Sequence, residues 1–404
     1  MIAAILALAL WQGEKLYCFG RVDSPLVTRR GAIVSANGYP DKVVWGVGDD
    51  VAEIVADAAP GQYGDVVVLD RKMPPLRESD FVLDLWQHPW AVARTARCQP
   101  FSPAHYAAMR PLWETLADAG QKSLTVTLLP LPWNHQCHDG YGSMVGISRR
   151  EDGSWNFDFS LFDEYVAFGK ACGLGPFISA YTMCPWGYVH RFAGAGGEET
   201  AVKMRPGSRE YDSFWRAYLN AFSAHLAEKG WLDGTFIALD ERSPEDVRAI
   251  VKLVRETAPG LKIHMAADRS WREFAELEIE SFSEALQFVD ADFRAWAAER
   301  RAKGQTTTFY VCCHPERPNT FIHSPRQEAF ALGKTAHDFG LDGFLRWAYN
   351  SWPEDPDRDA SFGNWPAGDT FLVYPDGSPS VRFLELRNGI SAAVKARIAE
   401  KGSE

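Results

Sequence analysis

The chain has 404 residues, 46% of them hydrophobic and 24% charged, a composition that fits a folded globular protein and argues against long disordered regions. Its formal net charge of −11 gives no electrostatic support for binding nucleic acid or an anionic membrane surface. Aromatic residues make up 13% of the chain; such side chains fill protein cores and also stack on the apolar faces of sugar rings.

The first 80 residues have strand-like patterns and no helical periodicity. Their apolar runs are rich in β-branched and aromatic residues and are separated by Gly, Pro and Asp turns. These runs are residues 15–19, 42–45 and 65–69. The pattern predicts a small β-rich segment over residues 1–80, ahead of the main domain.

The apolar segment Met1–Leu10 contains Ala7-Leu8-Ala9, which fits a small-residue signal-peptide cleavage site. The segment has no positively charged region before it and is too short to cross a bilayer. We therefore expect a cytoplasmic location by default, or export if residues 1–9 are a short signal remnant. No other segment predicts an integral membrane span.

From Phe81 onward, strand patterns alternate with helical patterns. The eight strand patterns are residues 81–85, 124–129, 177–181, 235–239, 261–265, 285–289, 307–311 and 343–347. This rhythm predicts a (β/α)8 TIM-type barrel over residues 81–352, followed by a C-terminal extension over 353–404 whose final helix packs on the barrel. An open doubly wound sheet is the competing fold, and no GxGxxG or phosphate loop supports it.

The dipeptide Asp240-Glu241 closes the fourth of these strands. Ser243 and Pro244 follow it and predict a helix N-cap and a first helical residue. In a TIM-type barrel the carboxyl ends of the strands form the active-site face. Because adjacent carboxylates repel each other, a role in folding alone explains them poorly. Capping of the next helix is the alternative, although Ser243 already occupies the cap position.

Aromatic and polar residues cluster in the loops after the predicted strands. A pocket lined in this way, with two acids on its rim, has the composition of a sugar-binding site, although each aromatic taken singly is more often a packing residue. The candidate substrate-binding residues are His88, Arg94, Trp133, Tyr181, Trp186, His314, Asn319, Trp347, Tyr349 and Trp352.

Metal and serine-nucleophile chemistry have weaker support. The segment His135–Asp139 contains zinc-ligand residue types, but it lacks the CxxC or HxxxH spacing that presents two ligands to one ion. We expect no metal and no cofactor. No Gly-x-Ser-x-Gly nucleophile elbow occurs, which disfavours a Ser-His-Asp hydrolase.

The seven cysteines show no disulfide framework. Cys312 and Cys313 are adjacent on a predicted strand and are expected to point to opposite faces of it.

A series of spaced blocks gives the chain a resemblance to glycoside hydrolase family 123, over roughly residues 80 to 390. The blocks are Trp86–Trp90, Leu116–Lys122, Pro132–His135, Asp152–Trp155, Phe236–Glu241, Pro318–Phe321, Leu345–Trp352 and Gly368–Tyr374. Their number and order make the resemblance more specific than the Asp-Glu pair alone.

The resemblance implies a barrel preceded by a β-sandwich, and exo-acting β-N-acetylgalactosaminidase activity with retention of configuration and assistance from the substrate. The partner would be a glycan or glycolipid with a terminal β-linked N-acetylgalactosamine. One feature departs from the family: the residues ahead of the barrel are too few for its usual sandwich, so we expect a reduced domain there. The oligomeric state is open.

The adjacency of the two acids also bears on mechanism. Ordinary retaining glycosidases place two carboxyls ~5 Å apart on opposite sides of the bond, whereas neighbours at one strand end are expected to diverge. Adjacent acids suit substrate-assisted catalysis, in which the 2-acetamido oxygen attacks C1. Glu241 would then be the general acid/base, and Asp240 would accept a hydrogen bond from the acetamido N–H. Repulsion from an ionised Asp240 would keep Glu241 protonated near neutral pH.

Some of the other candidates can be given roles. Trp347 and Trp352 are expected to form the wall against the sugar, with packing in the barrel as the alternative for Trp347. Tyr349 or Tyr181 would donate a hydrogen bond to the acetamido oxygen. The side chains considered for the sugar hydroxyls are Asn319 and Arg94, and Arg94 is also a candidate structural ion-pair partner.

Two other functions remain open from the residues alone. One is a glycosidase for another sugar, β-N-acetylglucosamine or a sugar without the acetamido group, that pairs Glu241 with a distant carboxylate such as Asp139 or Asp268. The other is a glycan-binding barrel without catalysis, which the presence of both acids disfavours. Preference for N-acetylgalactosamine over N-acetylglucosamine depends on contacts to the C4 hydroxyl.

Overall fold

The computed structural model of the chain describes residues 74–401 and, ahead of them, the backbone of six short strands. These are β1 (Leu16–Phe19), β2 (Leu26–Arg29), β3 (Ala32–Ser35), β4 (Val51–Ile54), β5 (Gly61–Tyr63) and β6 (Val66–Leu69). They pair into two three-stranded sheets, β1-β6-β5 and β3-β2-β4. The predicted runs 15–19 and 65–69 lie at β1 and β6, whereas 42–45 and Met1–Leu10 fall outside the described residues. The division into domains at residues 80 and 352 stays a prediction.

The elements of the main domain alternate along the chain. In order they are β7 (Val82–Leu85), α1 (Pro89–Thr95), α2 (Pro103–Asp118), β8 (Ser123–Thr127), β9 (Gly146–Arg149), β10 (Trp155–Asp158), α3 (Ser160–Ala171), β11 (Phe177–Tyr181), β12 (Val189–Ala193), β13 (Glu199–Lys203), α4 (Arg209–Glu228), β14 (Thr235–Asp240), α5 (Pro244–Thr257), β15 (Lys262–Ala267), β16 (Ser281–Ala285), α6 (Ala291–Ala302), β17 (Thr306–Tyr310), α7 (Arg326–Asp338), β18 (Gly343–Arg346) and α8 (Val381–Lys401).

Eight of these strands form one parallel sheet in the order β7-β18-β17-β16-β15-β14-β11-β8. The first and last strands meet at a parallel bridge between Leu83 and Gln121. Side chains complete this seam: Gln121 Oε1 accepts a hydrogen bond from Leu85 N at 2.9 Å, and Gln87 Oε1 accepts one from Thr125 N at 2.8 Å. The predicted (β/α)8 TIM-type barrel is therefore confirmed.

Local capping signals fix several of the helices. The Ser243 side chain accepts a hydrogen bond from Asp246 N, and Pro244 is the first residue of α5, as the sequence predicts. Helix α8 packs against α7 at Gly333 and Gly389, where a side chain on either residue would meet the backbone of the opposite helix. Within residues 74–401, no helix is both long and apolar enough to cross a bilayer.

The fifth and sixth units of the barrel differ from the sequence prediction. The sixth strand is β16, Ser281–Ala285, whereas the apolar run 285–289 predicted for it forms a 3-10 turn at Leu286–Phe288. The polar residues Ser283 and Glu284 interrupt the apolar pattern that predicts a buried strand, yet both are fully buried. Between β15 and β16 the chain forms only a 3-10 turn, at Trp271–Glu273, in place of a full helix.

A four-stranded sheet, β10-β9-β12-β13, grows out of the loops that follow β8 and β11. Its strands β9 and β10 lie between the predicted barrel strands 124–129 and 177–181. Trp155 and Phe192 of this sheet pack edge-on against each other, and Trp155 does the same against Phe214 of α4, with ring centroids 4.7 and 4.8 Å apart. Because β9 and β10 follow β8, and β12 and β13 follow β11, the added sheet extends from the carboxyl ends of these barrel strands.

Candidate active site

Asp240 and Glu241 stand at the carboxyl end of β14, the fourth barrel strand. Asp240 is the last residue of the strand, and Glu241 has a left-handed backbone with φ of 42°. In a continuous strand, neighbouring side chains would point to opposite faces, but the left-handed residue interrupts that alternation. Both carboxyl side chains therefore line one cleft. For a non-glycine residue this conformation costs about 1–3 kcal/mol, a strain that proteins store most often at functional sites.

The cleft is a concave site at the carboxyl ends of the barrel strands and is partly open to solvent. Aromatic residues and the two acids dominate its walls. The lining residues are Trp86, Gln136, Trp186, Asp240, Glu241, Ala266, Tyr310, Cys312, Cys313, Leu345, Trp347, Trp365 and Asp369.

Two neighbours hold Asp240 and favour its ionised form. Trp186 Nε1 donates a hydrogen bond to Asp240 Oδ2 at 3.0 Å, and the Arg242 guanidinium lies 4.7 Å above the Trp186 ring. Burial raises the pKa of Asp240, while the positive charge of Arg242 and the Trp186 hydrogen bond oppose that rise. The indole of Trp133 acts in the same direction, although its Nε1 makes no hydrogen bond within 3.5 Å.

Burial also raises the pKa of Glu241, and the charge of Asp240 adds to this effect. The pKa of Glu241 is raised to about 8 in this way, with a further contribution from the charge of Asp268. Its Oε1 accepts a hydrogen bond from the Tyr310 hydroxyl at 2.8 Å. The raised pKa favours the protonated form of Glu241 at neutral pH, whereas Arg242 and Trp186 favour the ionised form of Asp240. This division gives one cleft both a proton donor and an anion.

We expect Tyr310→Phe to raise the pKa of Glu241, because the Tyr310 hydrogen bond stabilises the ionised carboxylate. The alkaline limb of the pH profile of kcat/KM should then move to higher pH. Tyr349→Phe is the matched control, since the Tyr349 hydroxyl donates instead to Leu112 O at 2.9 Å. An unchanged profile in Tyr310→Phe, or a shift to lower pH, would contradict this role.

A layer of aromatic rings forms the floor of the cleft. Trp86 stacks on Trp133 with ring centroids 5.1 Å apart, and Tyr181 lies 4.5 Å from Trp86 and 5.2 Å from Trp133. Tyr181 is fully buried, and its hydroxyl has no hydrogen-bond partner among the described residues. Of the residues selected from the sequence, Trp186 and Trp347 line the cleft directly with the two acids, and Trp133 and Tyr181 lie in the floor beneath them.

Trp352 and Tyr349 lie in the hydrophobic core and not in the cleft, in contrast to the roles given to them from the sequence. Both are 0% exposed. The Trp352 indole N–H donates to Val373 O at 2.6 Å, and the Tyr349 ring packs on Phe383. Because their polar atoms are engaged within the protein, neither side chain is available to a sugar.

His88 and Arg94 hold the loop that carries Asp139. His88 Nε2 donates to Asp139 O at 3.0 Å, and burial lowers the pKa of His88 to about 3, so the ring is neutral. Arg94 Nε donates to both carboxylate oxygens of Asp139 at 2.8 and 2.9 Å, and its guanidinium also reaches the carbonyls of Trp352 and Pro353. Arg94 is thus the structural ion-pair partner that the sequence left open.

Asn319 and His314 lie behind the cleft wall. Asn319 is fully buried, and its Nδ2 donates to Cys312 O and Pro315 O at 2.9 and 2.7 Å. His314 is exposed and contributes its backbone carbonyl, which accepts from Cys312 N at 3.1 Å. Both residues shape the turn after β17 and neither side chain lines the cleft.

Several cleft residues were not selected from the sequence, namely Trp86, Gln136, Tyr310, Trp365 and Asp369. Tyr310 is the last residue of β17, so its position at a strand end was a signal that could have identified it. Trp365 lies far along the C-terminal segment; its Nε1 donates to Gln136 O at 3.1 Å, and its ring meets Trp347 edge-on at 5.9 Å. No local pattern predicts that contact.

A buried ion pair supports the Trp347 side of the cleft. Arg346 donates to Asp369 Oδ1 at 2.7 Å, and both side chains are 0% exposed. The indole of Trp347 is close enough to favour the ionised form of Asp369, whose pKa burial raises. This pair therefore connects the end of β18 to the segment after it and fixes Trp347 between them.

We expect Asp369→Ala to lower the free energy of unfolding by roughly 3–5 kcal/mol, because it leaves the Arg346 charge buried without its partner. Urea unfolding followed by tryptophan fluorescence measures this change. Glu276→Gln is the control: it removes an ion pair with Arg248 in which both side chains are about half exposed, and it should cost less than about 1 kcal/mol. Equal losses in both variants would contradict the structural role of Asp369.

Within residues 74–401, no three His, Cys, Asp or Glu side chains come together as a metal-binding group.

Comparison with known proteins shows the family to which the chain belongs. The model for the catalytic domain of glycoside hydrolase 123 matches residues 86–399. Among solved structures, the chain is similar to a family 123 glycoside hydrolase from Clostridium perfringens, with a TM-score of 0.80 and 24% identity over 96% of this chain and 85% of that one. At this identity the likeness concerns the fold.

A broad-specificity GH5-4 endoglucanase from Clostridium longisporum gives a TM-score of 0.43 and 10% identity, over 80% of this chain and 97% of that one; a likeness of this size carries no argument. A search of curated proteins gave no match. The family model spans most of the chain, including the strand that ends in Asp240 and Glu241. The chain therefore belongs to glycoside hydrolase family 123 and contains its catalytic domain.

Proposed function

We propose that this glycoside hydrolase removes terminal β-linked N-acetylgalactosamine from glycans or glycolipids, with retention of configuration and with the substrate's own acetamido group as nucleophile. The observation that carries the proposal is the unequal environment of two adjacent acids in one cleft. Glu241 has a pKa raised to about 8 by burial and by Asp240, while Asp240 is held by Trp186 and Arg242.

In the first step, Glu241 donates its proton to the glycosidic oxygen as the bond from C1 to that oxygen breaks. The acetamido carbonyl oxygen attacks C1 and closes an oxazolinium ring. Ionised Asp240 accepts a hydrogen bond from the acetamido N–H, which orients the amide and stabilises the positive charge that develops on it. The aglycone leaves as the alcohol.

In the second step, the Glu241 carboxylate removes a proton from water, and the water oxygen forms a bond to C1. The bond between C1 and the acetamido oxygen breaks, the acetamido group is restored, and Glu241 is protonated again. Two inversions at C1 give net retention. A single group thus serves as acid and then as base, which a pKa near neutrality favours.

The aromatic walls suit the apolar faces of one sugar ring. Trp347 and Trp186 line the walls beside the acids, and Trp365, which also lines the cleft, meets Trp347 edge-on. Tyr181 would donate a hydrogen bond to the acetamido oxygen, since its hydroxyl has no partner among the described residues. The related enzyme from Clostridium perfringens is described as acting in glycolipid glycan hydrolysis, and this supports a glycolipid as the substrate class proposed here.

A conventional retaining glycosidase is the second candidate, and a specific observation favours Asp268 as its other carboxylate. The charge of Asp268 contributes to the raised pKa of Glu241, so the two carboxyls lie near each other. However, Asp268 is paired with Arg269 at 3.0 Å. Asp139, the other distant acid considered, is engaged by Arg94.

A panel of aryl β-glycosides tests the proposal. The panel contains N-acetylgalactosaminide, N-acetylglucosaminide, galactoside and glucoside, each assayed with and without a thiazoline analogue of the oxazoline. We expect hydrolysis only of sugars with the 2-acetamido group, preference for the galacto form, and strong inhibition by the thiazoline, since transition-state and intermediate analogues bind more tightly than substrates. Equal hydrolysis of the galactoside would favour the Asp268 mechanism; sugar binding without hydrolysis of any member would favour a binding protein.

A further inference from the structure

Two neighbouring cysteines, Cys312 and Cys313, lie in the wall of the catalytic cleft. The sequence predicts a strand over residues 307–311 and places these side chains on opposite faces, but β17 ends at Tyr310 and the expectation is wrong. Both thiols line the same cleft as Asp240 and Glu241, and their sulfur atoms are 4.0 Å apart. The turn that carries them therefore presents a pair of thiols to whatever enters the cleft.

Hydrogen bonds stabilise the turn that carries the two cysteines. Cys312 N donates to His314 O at 3.1 Å, and Cys312 Sγ lies 3.7 Å from the same carbonyl. Asn319 Nδ2 holds Cys312 O at 2.9 Å, and Asn319 Oδ1 in turn accepts from Arg346 at 3.1 Å. These contacts fix the position of Cys312, and both cysteines are partly exposed.

We propose that Cys312 and Cys313 form a reversible thiol–disulfide exchange site whose modification closes the catalytic cleft. Its reaction partner is a low-molecular-weight disulfide, such as oxidised glutathione. The juxtaposition of two thiols in one wall of the cleft carries this inference, and none of the roles in the proposed hydrolysis uses either thiol.

The chemistry begins at Cys313. Its hydrogen bond with Cys312 lowers the pKa of Cys313 to about 7, although burial and the charge of Asp369 oppose this shift. The pKa of Cys312 is raised, first by the hydrogen bond with Cys313 and then by burial. Because the thiolate is the nucleophile in thiol–disulfide exchange, Cys313 reacts first.

The exchange balances in two steps. The Cys313 thiolate attacks one sulfur of the small disulfide, forms a mixed disulfide and expels one thiolate. Cys312 then loses its proton and attacks Cys313 Sγ, which expels the second thiolate and leaves a bond between the two neighbouring cysteines. Two electrons pass from the cysteine pair to the small disulfide, which is reduced to two thiols once the released protons are taken up.

The bond between adjacent residues would be easily reduced. Consecutive Cα atoms lie about 3.8 Å apart, which is closer than the usual disulfide spacing of about 4.4–6.8 Å, and such geometry makes a disulfide more reducible. We therefore expect modification to be reversed by dithiothreitol. Either product adds bulk or displaces the turn beside Tyr310 and Glu241, so the cleft should lose access to substrate.

To test this, the full chain is treated with oxidised glutathione at neutral pH and then quenched with acid. After digestion, the mass of the peptide that carries both cysteines is measured by mass spectrometry. In the wild type we expect that peptide to lose two hydrogen atoms, with a glutathione adduct as the intermediate. Cys312→Ser should stop at the adduct, and Cys313→Ser should form neither product. Cys98→Ser is the control outside the cleft and should behave as the wild type.

The outcome that overturns the proposal is an unmodified peptide under conditions that fully modify the unfolded protein, or an equal rate of adduct formation in Cys313→Ser. A second readout is the ratio of hydrolysis of an aryl β-N-acetylgalactosaminide after and before treatment. We expect most activity to be lost in the wild type, restored by dithiothreitol, and unaffected by treatment in Cys313→Ser. Activity that persists in fully modified wild type would refute closure of the cleft.

If the chain does not hydrolyse that substrate, the proposed function fails. The mass measurement still tests the exchange site in that case, because it does not depend on activity.

Discussion

Replacing Glu241 with Gln should lower kcat by at least ~100-fold, because general acid catalysis typically contributes that much. Gln has nearly the same shape and can still accept from the Tyr310 hydroxyl, which lies 2.8 Å from Glu241 Oε1, so the cleft should keep its form. The loss should be greatest for substrates with a poor leaving group, whose departure depends on protonation. Steady-state rates for a series of aryl glycosides of different leaving-group pKa measure this dependence.

The matched control for this variant is Glu245→Gln, an exposed position in the first turn of α5, four residues along the chain. It should keep nearly normal kcat, which separates loss of the acid from a general effect of the substitution. Near-normal turnover in Glu241→Gln, with the same leaving-group dependence as the wild type, would remove Glu241 from the proton-transfer role.

Replacing Asp240 with Asn should also lower kcat by about 100-fold or more, the scale of losing one preorganised charge contact in a transition state. The amide cannot stabilise the positive charge that develops on the acetamido nitrogen. Asn should also lower the pKa of Glu241, since the charge of Asp240 is the second largest cause of its rise. The alkaline limb of the remaining activity should therefore move to lower pH, opposite to the shift expected for Tyr310→Phe.

The control for Asp240→Asn is Asp233→Asn, an exposed residue just ahead of the amino end of the same strand. It makes the same chemical change about one strand length away from the cleft. A pH profile that shifts upward in Asp240→Asn, or activity equal to that of Asp233→Asn, would contradict the coupling between the two acids.

Local signals let the sequence predict the main features of the site. Ser243 and Pro244 marked the start of α5, and the abrupt end of an apolar run marked Asp240 as a strand end; both features are present. Since all parallel strands of a barrel open on one face, the position of the acids followed from the fold. The left-handed backbone of Glu241, which turns both carboxyls into one cleft, had no signature in the sequence.

Residues whose position depends on distant packing were harder to predict. Trp347, Tyr349 and Trp352 lie within six residues of one another, yet only Trp347 reaches the cleft. The chain turns behind the barrel after β18, where Tyr349 N donates to Trp86 O at 2.9 Å, and the later aromatics enter the core. Similarly, β16 was not predicted because its sequence contains the polar residues Ser283 and Glu284, which are buried in the structure.

The nucleophile is the central claim, and a series of 2-N-acyl substrates tests it most directly. Aryl N-acetyl-, N-fluoroacetyl-, N-difluoroacetyl- and N-trifluoroacetyl-galactosaminides differ mainly in the electron density of the acyl oxygen. If that oxygen attacks C1 while Asp240 holds the amide N–H, kcat/KM should fall steeply with each added fluorine. A flat series, in which the trifluoroacetyl substrate reacts as fast as the acetyl one, would show that a protein carboxylate attacks instead.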